Sequence, residues 1–294
     1  MAATIIAAVD NSPAAMQAVR LLAGYEGDRN KLAIVVLNVQ SRPTILWPGP
    51  ALDPGAIESA LLREGAAQLE PARALLVQSG FQPETAVRLS FAPQAIIEEA
   101  HRRAAKAIVM GTRGHGALRG FALGSVALRV AHRAQAPTLL VRPDTRLPKA
   151  LGRSVRVLLP LDGSIQATNA VTRLLGWEEW LGDMEFDLVH VRPALSVLET
   201  LTPPHDDVLE AWGSRQSEEA TRDARALLHV ARRGHRLHEA VGDPSQEIAR
   251  IADQVGSELV VMGTRGLGAI HHALLGSVAL KVAHASAVPV VLVP

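Results

Sequence analysis

Two glycine-rich segments carry the residues best suited to chemistry: Gly111-x2-Gly114-x9-Gly124-Ser125 and Gly263-x2-Gly266-x9-Gly276-Ser277. Glycine lets the backbone approach a ligand closely or take up positive φ. A helix that starts at Gly-Ser directs unsatisfied N–H groups and a partial positive charge at whatever lies in front of it. Such a loop suits phosphate. Its surroundings agree in sign, with Arg113, His115 and Arg119 in the first segment, Arg265, His271 and His272 in the second, and no Asp or Glu in either. The plainer alternative is that Gly111 and Gly114 only turn the chain and Ser125 caps a helix.

Two better-known phosphate motifs are excluded. A Walker loop needs a Gly-Lys-Ser/Thr end, and the chain has no Gly-Lys pair. Gly114-His-Gly116-Ala-Leu-Arg-Gly120 has the outline of a dinucleotide fingerprint, but it precedes Gly124 rather than opening a helix, and His272 stands where the second copy would need the last glycine. His132 and His284 recur in a predicted helix, where packing or solvent-facing roles are the ordinary ones. No spacing of His, Asp and Glu suggests a resident metal. A phosphate-bearing ligand would bring any magnesium with it, ligated mainly by phosphate and water.

The segments that position these loops are themselves duplicated. Between Met110 and His132, 16 of 23 residues recur 152 positions later, and Asp10, Val39 and Pro137 recur as Asp162, Val191 and Pro289. A period this long means two whole domains rather than short stacked repeats. The boundaries read as 1–142 and 154–294, with 143–153, rich in proline and charge, as the linker.

Within each copy, β-rich apolar runs alternate with helical patterns. Strands are expected over 4–9, 32–39, 85–89, 107–110 and 138–141, and again over 155–161, 185–191, 236–241, 258–262 and 290–293. Helices are expected over 13–23, 57–78, 93–103 and 125–134. Ser12-Pro13 and Asp243-Pro244 place a capping side chain before a proline at the first helical position, and Gln246 completes the outline of a capping box. Continuous apolar strands between helices imply a parallel sheet covered on both faces. The fold class is therefore α/β, with two tandem, doubly wound, five-stranded parallel sheets. With strand order 3-2-1-4-5, the ends of strands one, two and four converge on one crevice, the usual ligand position in such sheets. The segments 41–56 and 193–213, each with several prolines and a tryptophan (Trp47, Trp212), read as mobile flaps over that crevice.

Composition narrows the class further. A formal charge of +1 provides no electrostatic case for a nucleic acid or membrane partner, and 3% aromatics leave little for base stacking. The absence of cysteine rules out disulfides and thiolate chemistry. No apolar run nears the roughly 18 residues of a membrane span, and the first residues lack a basic, then apolar, leader pattern, so a cytoplasmic location is expected.

The chain resembles the universal stress proteins, in a tandem form, over essentially its whole length. The resemblance rests on the G-x2-G-x9-G-[ST] loop, the strand-ending Asp-x-Ser (Asp10-Asn11-Ser12, Asp162-Gly163-Ser164) and the second-strand endings LNV and VHV. It implies a Rossmann-like fold, also described as adenine nucleotide alpha hydrolase-like, and an ATP-binding sensor or regulator of the stress response. By that resemblance Asp10 and Asp162 hold the ribose hydroxyls, Val39 and Val191 meet adenine through their backbone, and Gly111 and Gly263 meet the sugar. Gly114, Gly124, Ser125 and Val126, with Gly266, Gly276, Ser277 and Val278, hold the phosphates. A carboxylate accepts from two vicinal hydroxyls but repels polyphosphate, so Asp10 belongs at the sugar end; its plainer role is a helix cap. Phe91-Ala92-Pro93, set against Gly242-Asp243-Pro244, makes the first adenine pocket the less regular one. The resemblance also implies that the fifth strands, TLLV and VVLV, pair as an internal pseudo-dimer, with further homodimerisation and a protein partner left open. A slow ATP hydrolase and an interaction module with a vestigial pocket are the competing readings. The first lacks the Ser-Gly-Gly-x-Asp-Ser loop of ATP pyrophosphatases and any acid or base fixed beside the phosphate loop.

Overall fold

The computed structural model describes residues 2–41, 53–114, 123–192, 206–267 and 275–294, with backbone alone for 206–212. It divides into two compact units, Met1–Thr145 and Arg146–Pro294. The first unit runs β1 (Ala3–Ala8), α1 (Pro13–Ala23), β2 (Leu32–Gln40), α2 (Pro54–Gln78), β3 (Glu84–Leu89), α3 (Ala92–Arg102), β4 (Ala107–Gly111), α4 (Ser125–Arg133) and β5 (Thr138–Val141). The second runs β6 (Ser154–Pro160), α5 (Ile165–Leu175), a short α6 (Glu178–Leu181), β7 (Asp183–Arg192), α7 (Asp206–Val230), β8 (His235–Val241), α8 (Pro244–Gln254), β9 (Leu259–Gly263), α9 (Ser277–Ala285) and β10 (Val290–Val293).

Each unit has a parallel sheet in the expected order, β3-β2-β1-β4-β5 and β8-β7-β6-β9-β10. The central strands β1 and β6 are mostly buried. Ile5, Ile6, Val157, Leu158 and Leu159 are inaccessible to solvent, each such side chain contributing about 1.5–3 kcal/mol on burial. In the first unit the chain passes from β1 to β2 to β3, then returns to the other side of β1 as β4, so that Ile6 lies level with both Val35 and Ile108. That reversal opens the crevice at the carboxyl ends of β1 and β4, and the second unit repeats it at β6 and β9.

The helix starts follow from their caps. The Ser12 side chain accepts from the Ala15 N–H, Ser164 from Ala167, and Asp243 from Ser245 and Gln246. Part of each expected flap is in fact helix. α2 begins at Pro54 rather than near residue 57, because Asp53 caps it by accepting from the Gly55 N–H, the same Asp-Pro start signal as Asp243-Pro244. Likewise α7 already runs from Asp206. The remaining flap residues, 42–52 with Trp47 and 193–205, lie outside the described residues, as does the Trp212 side chain. Residues 143–153 are packed onto their own units. Thr145 is buried and its carbonyl accepts from Gln17, while the Arg146 N–H donates to Ala287 and Leu151 is buried.

Candidate functional site

Asp10 and Asp162 stand two residues past the ends of β1 and β6, and the same turn aims both. In each, Oδ1 accepts from the N–H two residues on, Ser12 or Ser164, at 3.0 Å. The intervening residue has left-handed backbone, Asn11 at φ 61° and Gly163 at φ 83°, a conformation that only glycine and, less readily, asparagine adopt cheaply. The cap of α1 is Ser12 and that of α5 is Ser164. The aspartates are therefore not simple helix caps. In the second unit Asp162 Oδ2 also accepts from the Leu267 N–H at 3.0 Å, tying the β6 turn to the glycine loop. Two N–H donors leave about half of a carboxylate's four acceptor positions open.

The glycines of the two loops serve three different purposes. A Cβ on Gly114 or Gly266 would overlap Asp10 Oδ2 or Asp162 Oδ2, so this position must be bare for the carboxylate to stay where it is. A Cβ on Gly111 would sit 2.6 Å from the Ala15 nitrogen and 2.7 Å from the Ala14 carbonyl carbon, and one on Gly263 2.9 Å from the Gln166 backbone. These two glycines let α1 and α5 pack against β4 and β9, a structural reason independent of any ligand. Gly124 and Gly276 donate their N–H groups to Thr112 and Thr264 at 2.8 Å, closing the loops back onto the strands. The helices that follow have Gly124 and Gly276 as N-caps and no side-chain cap hydrogen bond. Ser125 and Ser277 are the first helical residues rather than caps, both exposed, so the capping alternative for Ser125 does not describe this end.

In the second unit these parts enclose a cavity of about 430 Å³, within the range of small-molecule sites. Every position anticipated there lines it: Asp162, Val191, Gly263, Gly266, Gly276, Ser277 and Val278. Asp162 and the uncapped start of α9 supply its polar groups, close to one another across the glycine loop: a Cβ on Gly266 would overlap Asp162 Oδ2, and one on Gly276 would lie 3.9 Å from the Gly266 nitrogen. The rest of the lining is largely apolar, with Pro160, Leu161, Val189, Ile248, Met262 and Leu275, and Arg265 is the one cationic side chain among the described lining residues. The apolar lining was not picked out beforehand, yet a signal existed. Of the eighteen lining residues thirteen have the same residue type 152 positions earlier, including Ile96, Met110, Arg113 and Leu123, so the first unit carries nearly the same set. There Asp10, Gly111, Gly114, Gly124, Ser125 and Val126 gather at the ends of β1 and β4, and half-buried Val39 follows on β2. His115, Arg119, His271 and His272 lie outside the described residues. His132 and His284 are half-buried on α4 and α9.

The departure at Phe91 needs a corrected alignment. Phe91 and Asp243 are the N-caps of equivalent helices, and Ser90 and Gly242 donate to Gln40 and Arg192 in the same way. Phe91 thus replaces Asp243, one position from the pairing expected from the prolines, because Pro93 is the second helical residue and Pro244 the first. The contact across to the next helix changes with it. Asp243 faces Lys281 at 3.4 Å, whereas the Arg129 guanidinium lies over the Phe91 ring at 5.3 Å. The Ser245 hydroxyl, then the Gln246 N–H, hold the Asp243 carboxyl down at about 2.

Three polar arrangements escaped the sequence reading. Asn38 Nδ2 donates to the Val9 carbonyl, and His190 Nδ1 contacts the Leu161 carbonyl, both at 2.8 Å. In the first unit buried Glu99 binds Arg88, Arg102 and Arg103. Burial pushes its carboxyl up, but the hydrogen bonds from the three arginines outweigh this and hold it below its usual range. In the second unit fully buried Asp187 accepts from Arg236 and bonds His238 at 2.7 Å. Asn38 and His190 are the middle residues of LNV and VHV, but those strings do not name the carbonyl each one grips; the fold likewise brings Arg88 to Glu99 and Arg236 and His238 to Asp187, whereas Arg102 and Arg103 are local partners, three and four residues from Glu99.

The universal stress protein family profile matches residues 1–142 and 155–294. A universal stress protein of Mycolicibacterium smegmatis is 27% identical over 303 residues, spanning 98% of this chain and 96% of its own. The universal stress protein Sll1654 of Synechocystis is 32% identical over 162 residues, 52% of this chain and 95% of the relative. A crystal structure of a universal stress protein from Archaeoglobus fulgidus shares the fold with a TM-score of 0.69 at 19% identity, covering 98% of this chain and 95% of the other. Both halves of the chain, and the fold they build, belong to the universal stress protein family.

Proposed function

We propose that the chain is an adenine-nucleotide sensor: ATP bound in the crevice of each unit alters contacts with a protein partner. The observation that carries this reading is the second-unit cavity, whose lining joins a polar side, Asp162 with the glycine loop, to a largely apolar remainder, as a sugar-phosphate joined to a base requires. Asp162 offers free acceptor positions for vicinal hydroxyls. The apolar residues of the lining suit a purine. The uncapped α9, with the Gly276-Ser277 backbone and Arg265 nearby, offers donors and positive potential to phosphate. Within this reading Asp10, Val39, Gly111, Gly114, Gly124, Ser125 and Val126 take the equivalent parts in the first unit.

The same lining argues for binding over turnover. Among the described lining residues the ionisable side chains are Asp162 and Arg265, and the first is already tied to two N–H groups on the sugar side. Among the described lining residues no free general base stands within hydrogen-bond reach of an attacking water, and such a site stabilises bound ground state and transition state about equally. Magnesium carried by the nucleotide would draw its ligands from phosphate and water, since the lining holds a single carboxylate. The test is direct. Protein purified without added nucleotide is unfolded mildly and the supernatant analysed by mass, and the nucleotide-free protein is titrated with ATP by calorimetry. Retained adenine nucleotide and binding at one or two sites support the reading. No binding at millimolar ATP would refute it, and a turnover near 10 per second, the ordinary enzyme median, would replace the sensor with a hydrolase.

A further inference from the structure

We propose that Asn38 and His190 are positioning residues which hold the sugar-side aspartate and the base-side strand end at a set spacing in the two nucleotide sites. The inference rests on the nucleotide-binding reading. Asn38 lies in β2 immediately before Val39, and His190 in β7 immediately before Val191. Successive strand residues face opposite sides of a sheet, so neither side chain faces the cavity side that Val191 lines; each acts from behind it. Asn38 is buried and His190 half-buried.

What each side chain grips is the carbonyl just before the aspartate. Val9 is tied to β2 through its own N–H, which donates to the Leu37 carbonyl at 2.9 Å, and Leu161 to β7 through the Val189 carbonyl at 2.8 Å. Its carbonyl lies past the last paired residue of its strand, Ala8 or Pro160. The donor instead comes from a side chain, Asn38 Nδ2 or His190 Nδ1, at the same 2.8 Å. A carbonyl only accepts, so the His190 ring donates from Nδ1 in this contact. Two chemically different side chains thus supply one N–H at one place in both copies. The left-handed turn and the aspartate follow within two residues of that carbonyl. Without the donor a largely buried carbonyl loses its partner, and the strand end that carries Asp10 or Asp162 can pivot away from Val39 or Val191.

The test uses the full chain and three probes: ATP, adenosine, and inorganic tripolyphosphate, which engages the glycine loop alone. His190→Leu should weaken ATP and adenosine at the second site roughly tenfold, the effect of losing one hydrogen bond and stranding its acceptor, and leave tripolyphosphate unchanged. His190→Asn, the first unit's own solution, should restore nearly full affinity, and Asn38→Leu and Asn38→His should behave as the matching pair in the first unit. If His190→Leu does not fold, His190→Ala removes the donor without adding bulk, and the His190→Asn comparison stands by itself. Unchanged ATP affinity in a folded His190→Leu or His190→Ala, equal losses for all three probes, or a His190→Asn as damaging as His190→Leu would overturn the inference while leaving nucleotide binding intact. A wild-type chain that takes up no nucleotide would overturn the binding reading, and this inference with it.

Discussion

Adding one methyl group at Gly266 should disable the second nucleotide site while leaving the fold standing. A Cβ there would overlap Asp162 Oδ2 and lie 3.4 Å from its Cγ, so the carboxylate or the loop must retreat by about 1 Å to regain ordinary contact. Neither moves freely. Asp162 is held by the Ser164 and Leu267 N–H groups, each at 3.0 Å, and Leu267 is the residue next to the substitution. The retreat breaks at least the Leu267 bond. A hydrogen bond to a charged group contributes about 1.5–3 kcal/mol, and the exposure of Leu267 places this one at the lower end. At about 2–4 °C per kcal/mol for a domain of this size, Gly266→Ala should melt roughly 3–6 °C lower. Binding should suffer more. If Asp162 accepts from the ribose hydroxyls, displacing it removes one or two charge-assisted bonds, and at 1.4 kcal/mol per decade the affinity of that site falls by about 10- to 100-fold. Calorimetric titration with ATP and a thermal melt read both numbers. The control is Gly234→Ala, where a Cβ would meet nothing within 4 Å and neither quantity should change appreciably. A Gly266→Ala protein that binds ATP as wild type and melts like the Gly234→Ala control would refute the reasoning.

The remaining expectations concern the phosphate end, the buried charge and the cap. Gly276→Val should abolish ATP binding at the second site and Gly124→Val at the first, because a β-branched side chain fills the place of the phosphate; a Cβ only 3.1–3.2 Å from the Thr112 and Thr264 carbonyls adds a modest stability loss, and a folded double variant that still titrates two ATP would contradict this. Glu99→Leu should destabilise the first unit by about 2–3 kcal/mol in urea unfolding, short of the 3–5 of a wholly buried pair because Arg88 and Arg102 can turn to water; an unchanged midpoint would show that the cluster contributes nothing. The depressed Asp243 carboxyl contributes stability that is complete above its ordinary value near 3.8 and is lost as pH falls towards about 2. Carbon-detected titration of Asp243 should therefore give a midpoint near 2, and Asp243→Asn should flatten the acid limb of stability between those values. A midpoint near 4 would mean that the Ser245 and Gln246 contacts do not persist in solution.

By itself the sequence determined whatever is written in short-range pattern or in the repeat. The apolar runs and caps gave strands and helices within a few residues of those observed, and the topology rule turned them into two sheets of order 3-2-1-4-5. The 152-residue period brought out the glycine loops and Asp-x-Ser turns, since positions that recur in both copies stand out against loops that do not. The Asp53-Pro54 start of α2 carries the same signal as Asp243-Pro244, so that boundary too is written in local sequence. The tertiary structure alone decided what each of these residues is for. That Gly114 and Gly266 make room for a carboxylate, whereas Gly111 and Gly263 make room for a helix, depends on atoms some 100 residues away in the chain for the former and on strand-to-helix packing for the latter. Arg88 beside Glu99, and the partners of Asp187, Asn38 and His190, are likewise chosen by neighbouring strands and turns. Periodicity records which way a residue faces; it holds no record of what the sheet will bring opposite it, and close approach and buried pairing are properties of that meeting.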